Sequence, residues 1–162
     1  MKSEIDALGL HALALVETGH YEASLILHEL LLAESTKPRH KAALANNVAY
    51  LLALLGRDLE RAERLVRHAE ATGTFRRGIG STLGAVLVQR ADVEEGSRLL
   101  LEALDAGESH RERAETLGLL AHGAERLGDD ERASHYRDEI ITLETGFARP
   151  LSLWQPDHQA GK

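Results

Sequence analysis

The amino-acid sequence predicts an all-α fold, a solenoid of four helical hairpins that comprises about eight helices and ends in an irregular C-terminal tail. Three observations carry this prediction. A turn motif recurs at a nearly constant spacing, small residues recur in step with it, and no proline lies between Pro38 and Pro150 to interrupt a helix. Since only 4% of the residues are aromatic, the core is expected to be aliphatic.

The turn motif lies at the centre of four segments that each have the pattern helix, tight turn, helix. Successive turn residues are separated by 37, 35 and 37 residues, and a period of this length indicates a helical repeat array. The four turn residues are Gly19, Gly56, Ala91 and Gly128.

Small residues occur on both sides of each turn, seven residues before it and five or six residues after it. Such residues let two helices approach closely, so we expect the two helices of every hairpin to cross where they lie. Seven residues before the turns stand Ala12, Ala49, Gly84 and Ala121, and after the turns stand Ser24, Ala62, Gly96 and Ala133.

These positions divide the chain into a solenoid over residues 1–146 and a tail over 147–162. The repeats are expected near 5–38, 39–73, 74–108 and 109–146. Apolar periodicity and turn residues predict helices near 4–17, 21–34, 39–55, 59–72, 77–90, 93–106, 110–127 and 130–145.

With these turns and the strings VAYLL at 48–52 and TLGAVL at 82–87, the chain resembles the tetratricopeptide repeat (TPR) family, and in particular its small bacterial members. The resemblance covers roughly residues 5 to 145. It departs from the family pattern where aliphatic residues such as Leu8 and Leu117 replace a large aromatic, where Ala91 replaces a turn glycine, and where Pro38 is the single closing proline. The resemblance implies a right-handed solenoid whose first helices line a concave groove that binds a peptide or helix of another protein.

If this register holds, the groove is lined by apolar and mildly polar side chains, which suit an extended peptide or an amphipathic helix. The alternative for each apolar residue is burial between helices, and the alternative for the two adjacent asparagines is an internal hydrogen bond. The expected partner-binding residues are Leu13, Val16, Glu17, Asn46, Asn47, Tyr50, Leu54, Ser81, Thr82, Gln89, His122 and Arg126.

Charge and composition narrow the class of partner. A formal net charge of -7 disfavours nucleic acid and anionic membrane surfaces, and no apolar run is long enough to span a bilayer. The absence of cysteine, together with Glu4 and Asp6 near the N-terminus in place of a signal-peptide core, favours a cytoplasmic location.

No catalytic motif is present, so we expect no enzymatic activity, no catalytic residue and no cofactor. None of the nine histidines pairs with another at the helical spacing of metal ligands, and we expect no metal site. The leading hypothesis is a scaffold or adaptor protein. The alternatives are a secretion-chaperone-like dimer, a self-assembling structural protein and, least favoured, a concealed metal-dependent hydrolase.

The tail contains two prolines and the single tryptophan, and it lacks a helical period. Leu153 and Trp154 are expected to dock on an apolar surface, either the end of the last helix or a neighbouring subunit, which would make a homo-oligomer through the C-terminal end. The alternative is a disordered terminus.

Overall fold

The structure, a computed structural model, describes residues 2–73, 76–105 and 110–143. Within these ranges it contains eight α-helices and no strand, which confirms the predicted all-α fold, and every helix begins and ends within three residues of its predicted bounds. The predicted tail, with Leu153 and Trp154, lies outside the described residues. The helices are α1 (Lys2–Glu17), α2 (Tyr21–Glu34), α3 (Pro38–Leu54), α4 (Leu59–Ala71), α5 (Arg76–Gln89), α6 (Val93–Asp105), α7 (His110–Arg126) and α8 (Asp130–Thr142).

The four predicted turn residues adopt the same left-handed backbone conformation between α1 and α2, α3 and α4, α5 and α6, and α7 and α8. Their φ angles are 74° at Gly19, 62° at Gly56, 73° at Ala91 and 73° at Gly128. In each turn the next residue donates its backbone N–H to the carbonyl five positions earlier, the bond of a Schellman motif. These bonds are His20 to Leu15, Arg57 to Leu52, Asp92 to Leu87 and Asp129 to Ala124, at 2.8 to 2.9 Å.

The two helices of a hairpin cross at the small residues that the sequence pattern marks. In the first hairpin the Ser24 hydroxyl donates to the Ala12 carbonyl at 2.8 Å. In the third, a Cβ placed on Gly84 would lie 2.9 Å from the Gly96 carbonyl oxygen, so the two backbones are in direct contact. The corresponding alanines of the other hairpins, Ala49, Ala62, Ala121 and Ala133, are all buried.

Each helix packs on the next along the chain, and α3 also packs on α5, and α5 on α7. We call α3, α5 and α7 the inner row. Their middle segments are buried on nearly every side, with Val48, Val86 and Leu117 completely inaccessible to solvent. The inner row therefore forms the centre of the molecule, and α4, α6 and α8 each pack beside it.

None of the helices in the described ranges combines the length and apolarity needed to cross a bilayer.

Candidate functional site on the inner row

A hydrogen bond between Tyr50 and Glu115 connects the first and last helices of the inner row. The Tyr50 hydroxyl donates to Glu115 Oε2 at 2.5 Å. Tyr50 is half-buried and Glu115 is buried. On α5, between them in the row, the residue in register with Tyr50 is the small, fully buried Ala85. This small residue leaves room for the Tyr50 side chain to extend towards α7.

Asn46 lies one helical turn before Tyr50 on the same helix, against the start of α5. Its amide nitrogen is 3.9 Å from the point that a Cβ on Gly78 would occupy. Its Oδ1 atom is buried and accepts no hydrogen bond from any residue that the structure describes. A buried acceptor without a donor destabilises a fold by about 1–3 kcal/mol, so this oxygen is a polar group that the packing of the chain alone does not explain.

His122 and Arg126 occupy the last two turns of α7. Burial lowers the pKa of His122, and the positive charge of Arg126 lowers it further. Arg126 Nη1 donates to the carbonyls of Val88 and Gln89, at 3.2 and 2.9 Å. Both carbonyls belong to the last turn of α5, and that of Val88 also accepts from the Ala91 N–H at 3.2 Å, so Arg126 fastens the end of α7 to the end of α5.

Asn47, which the sequence places beside Asn46, points to the other side of α3. Its Nδ2 lies 3.2 Å from Nε2 of the buried His28 on α2. The His28 Nδ1 lies 3.0 Å from the Ser24 carbonyl, so this nitrogen carries the proton and Nε2 accepts from Asn47. Together with the Ser24 bond to Ala12, this network connects α1, α2 and α3. Burial lowers the pKa of His28.

Two further predicted binding residues are buried and are not on a surface that a partner can reach. Leu54 is 4% exposed, and Thr82 is 2% exposed. Leu54 belongs to the main core cluster because the last turn of α3 is covered by packed neighbours. At these two positions, the helical stripe that was predicted to line the groove is part of the core.

The remaining predicted residues are at least partly accessible. Leu13 is 50% exposed and Glu17 is exposed, whereas Val16 is half-buried against the main core. Ser81 and Gln89 on α5 are half-buried, and the Ser81 hydroxyl donates to the Gly78 carbonyl at 3.1 Å. The structure therefore brings Tyr50, one helical turn from Asn46, together with Glu115, and places Leu13 and Glu17 on α1.

Glu115 is absent from the residues that the sequence singled out. The turn register aligns it with Gly78 on α5, Ala43 on α3 and Asp6 on α1, so an acidic residue stands where the second and third repeats have small ones. The sequence alone shows this contrast. It does not show the hydrogen-bond partner of Glu115, because Tyr50 is 65 residues away in the chain and the pairing depends on how three helices stack.

The polar groups of the inner row can form hydrogen bonds with a ligand. They are the Asn46 amide, the Tyr50 phenol, which donates to the Glu115 carboxylate, and His122, whose pKa is lowered. Over residues 2–73, 76–105 and 110–143 the structure contains no group of three or more His, Cys, Asp or Glu side chains arranged to hold a metal ion.

Comparison of the sequence with models of known protein families and with curated proteins found no match. The resemblance to the TPR family therefore rests on the sequence pattern alone.

Proposed function

We propose that this chain is a TPR-like protein-interaction module of the cytoplasm, a right-handed solenoid that binds an extended peptide or helix of another protein on its inner row. The four identical turn bonds and the small-residue crossings support the repeat architecture. Aliphatic side chains at every position of the inner row would give a stable core. The inner row instead contains the polar side chains of Asn46, Tyr50 and Glu115.

The observation that carries the proposal is Asn46, a half-buried side chain of the inner row whose buried Oδ1 atom accepts no hydrogen bond from the described residues. A partner reaches this oxygen only if the Asn46 side chain turns outward on binding. The backbone N–H of a bound peptide is then a donor of the right kind, because every non-proline residue of a partner presents one. Tyr50 and the Glu115 carboxylate, which are hydrogen-bonded to each other, lie on the same inner row.

The test uses the purified full chain and a displayed library of random peptides. Selected peptides are resynthesised, and their affinities are measured by calorimetry against the natural chain, Asn46→Ala, and Arg64→Ala as a control. Arg64 is an exposed residue of α4, outside the inner row.

Asn46→Ala is expected to weaken the peptides by about 10-fold, the worth of one hydrogen bond to a partner. The same change is expected to leave the stability of the free protein equal or higher, because it removes an unsatisfied buried acceptor. Arg64→Ala should bind as the natural chain does. A selection that enriches no peptide, or peptides that bind Asn46→Ala unchanged, would contradict the proposal.

A further inference from the structure

One hydrogen bond joins two hairpins of this chain that are not neighbours. Consecutive helices pack on each other, and α3 and α7 each pack on α5, which lies between them in the inner row. The Tyr50 hydroxyl of α3 nevertheless reaches Glu115 of α7 at 2.5 Å, across 65 residues of sequence. A hydroxyl that donates to a carboxylate forms one of the stronger hydrogen bonds in proteins. The bond therefore ties the second hairpin directly to the fourth, past the third.

The middle of the inner row is closed to solvent where this bond crosses it. Every residue from 82 to 88 on α5 and from 114 to 121 on α7 is buried. Because seven consecutive residues of a helix point to all sides, these runs leave no side of either segment accessible. Ala85 occupies on α5 the position that Tyr50 occupies on α3, so it faces the same side of the row, and it is 0% exposed. A partner segment cannot touch the middle of the row in this form of the molecule.

We propose that the Tyr50–Glu115 bond is a clasp, a contact within the chain that holds the inner row closed, and that a partner protein binds the form in which the clasp is open. This regulation rests on the proposed binding function, because the closed clasp occupies the surface that the partner needs. In the open form water hydrates the hydroxyl and the carboxylate, and the fourth hairpin moves away from the second.

Asn46 makes the closed form less stable than the clasp alone would make it. It lies one helical turn before Tyr50, and its buried Oδ1 atom accepts no hydrogen bond from any described residue. Loss of a hydrogen bond and burial of an acceptor without a donor are each worth roughly 10- to 100-fold in an equilibrium constant. The two effects oppose each other, because opening breaks the clasp and lets Asn46 turn outward to a donor. A partner that donates to Asn46 therefore needs only a modest preference for the open form to shift the balance.

The first experiment measures the opening of the clasp in the free protein. The sequence contains no cysteine, so Ala85→Cys introduces a single thiol at the middle of the inner row. Its rate of reaction with a disulfide reagent, measured with and without Tyr50→Phe, reports how often the row opens. Tyr50→Phe removes the hydroxyl and keeps the ring. The matched control thiol is Ala133→Cys, which replaces an alanine that is also 0% exposed but lies at the crossing of α7 and α8.

Tyr50→Phe is expected to accelerate the reaction at position 85 by about 10-fold or more, and to leave the rate at position 133 unchanged, because only the inner row opens. An unchanged rate at position 85 would overturn the clasp. Equal acceleration at both positions would overturn it too, since a general loss of stability has that result.

The second experiment measures the affinities of the library-selected peptides by calorimetry. Tyr50→Phe is expected to bind them about 5-fold or more tightly, since a larger fraction of the protein is open. Glu115→Gln should show a smaller gain, because a neutral amide oxygen holds the hydroxyl less strongly than a carboxylate does. Tyr136→Phe, which removes a hydroxyl from a half-buried tyrosine of α8, should bind as the natural chain does. Equal or weaker binding by Tyr50→Phe overturns the proposal.

The two experiments separate the clasp from the proposed function. A selection that yields no peptide contradicts the proposed function, whereas the thiol rates still decide whether the clasp exists. Circular dichroism checks that each variant keeps its helices. If Tyr50→Phe loses them, Glu115→Gln takes its place and must raise both the thiol rate and the affinity; if Ala85→Cys loses them, the affinities decide.

Discussion

Ala91 holds a backbone conformation that three glycines hold in the other turns of this protein. Its φ of 73° lies in the left-handed region, which costs an L-residue with a side chain about 1–2 kcal/mol. The Schellman bond that follows it, from Asp92 to Leu87, is nevertheless formed at 2.9 Å. The sequence pattern therefore located the turn correctly although its glycine is missing.

Ala91→Gly is expected to stabilise the protein by about 0.5–1 kcal/mol, because relief of the left-handed strain exceeds the extra chain entropy that glycine loses on folding. Urea unfolding of the natural chain and the variant measures this difference in the free energy of unfolding. The control is Ala33→Gly, an exposed position inside α2 with ordinary helical geometry, where the same change should destabilise by a similar amount. Loss of stability in both variants would show that the third turn is not strained at Ala91.

His28 gives the fold a predictable dependence on pH. Its pKa in the folded protein is below the ordinary value of about 6.5, since burial disfavours the imidazolium. As the pH falls below that ordinary value, the unfolded chain takes up a proton that the folded chain does not, so the free energy of unfolding decreases. The decrease ends once the pH is below the folded pKa. His122 acts in the same direction.

We therefore expect stability to be constant above about pH 7 and to decrease as the pH falls below about 6.5, until the pH is below the folded pKa of His28. In His28→Gln the stability at neutral pH should be lower, because the partner of Asn47 is removed, and the fall on acidification should be shallower. Thermal or urea unfolding across this range provides the measurement. An equal or steeper acid dependence in the variant would mean that His28 is not held neutral by the fold.

At the scale of single residues, the sequence identified Asn46 and Asn47 as polar residues with a specific role, but it did not show to which side of the helix each side chain points. Asn46 and Asn47 are neighbours, and neighbours on a helix point about 100° apart, so only one of them can face a given side. Both alternatives, a binding role and an internal hydrogen bond, were expected for the pair. The structure gives the internal bond to Asn47 and leaves Asn46 on the inner row.

At the scale of helices, the crossing of α5 and α6 brings the two backbones into direct contact. A Cβ on Gly96 would lie 2.8 Å from the Gly84 carbonyl oxygen and 2.8 Å from the Val88 backbone nitrogen. Both are backbone atoms, which cannot turn away as a side chain can. The two glycines therefore set the distance between these helices.

Gly96→Ala is expected to destabilise the protein by about 1–3 kcal/mol, since the overpacked crossing outweighs the better helix propensity of alanine. The matched control is Gly80→Ala in α5, where nothing lies within 4 Å of the added methyl group and a gain of up to about 1 kcal/mol is expected. Denaturant unfolding gives the free energy of unfolding of each variant for comparison with the natural chain. Gly96→Ala at or above natural stability would refute this crossing.

The helices themselves could be predicted almost completely because their ends are set locally. A turn residue, the bond across it and the small residue seven positions earlier are all encoded within a dozen residues. The candidate site could not be predicted in the same way. The pairing of Tyr50 with Glu115 depends on the stacking of α3, α5 and α7, and the burial of Leu54 and Thr82 depends on how closely these helices pack.

At the scale of the whole molecule, the packing follows the order of the chain, with contacts between consecutive helices and along the inner row. In the proposed repeat array each hairpin is stabilised by its neighbours, and the two ends are the surfaces without one. The polar groups of the inner row, which are proposed to bind a partner protein, are therefore a separate feature from the ends.

The most direct test of the account is to locate a bound peptide on the protein by backbone amide NMR. A peptide from the library selection is titrated into the labelled full chain. If the peptide binds on the inner row, the largest changes in amide chemical shift occur around Asn46, Tyr50 and Glu115. Little change is expected around Arg64 and Arg98 on α4 and α6. Changes that concentrate on α4 and α6 and leave the inner row unaltered would contradict it.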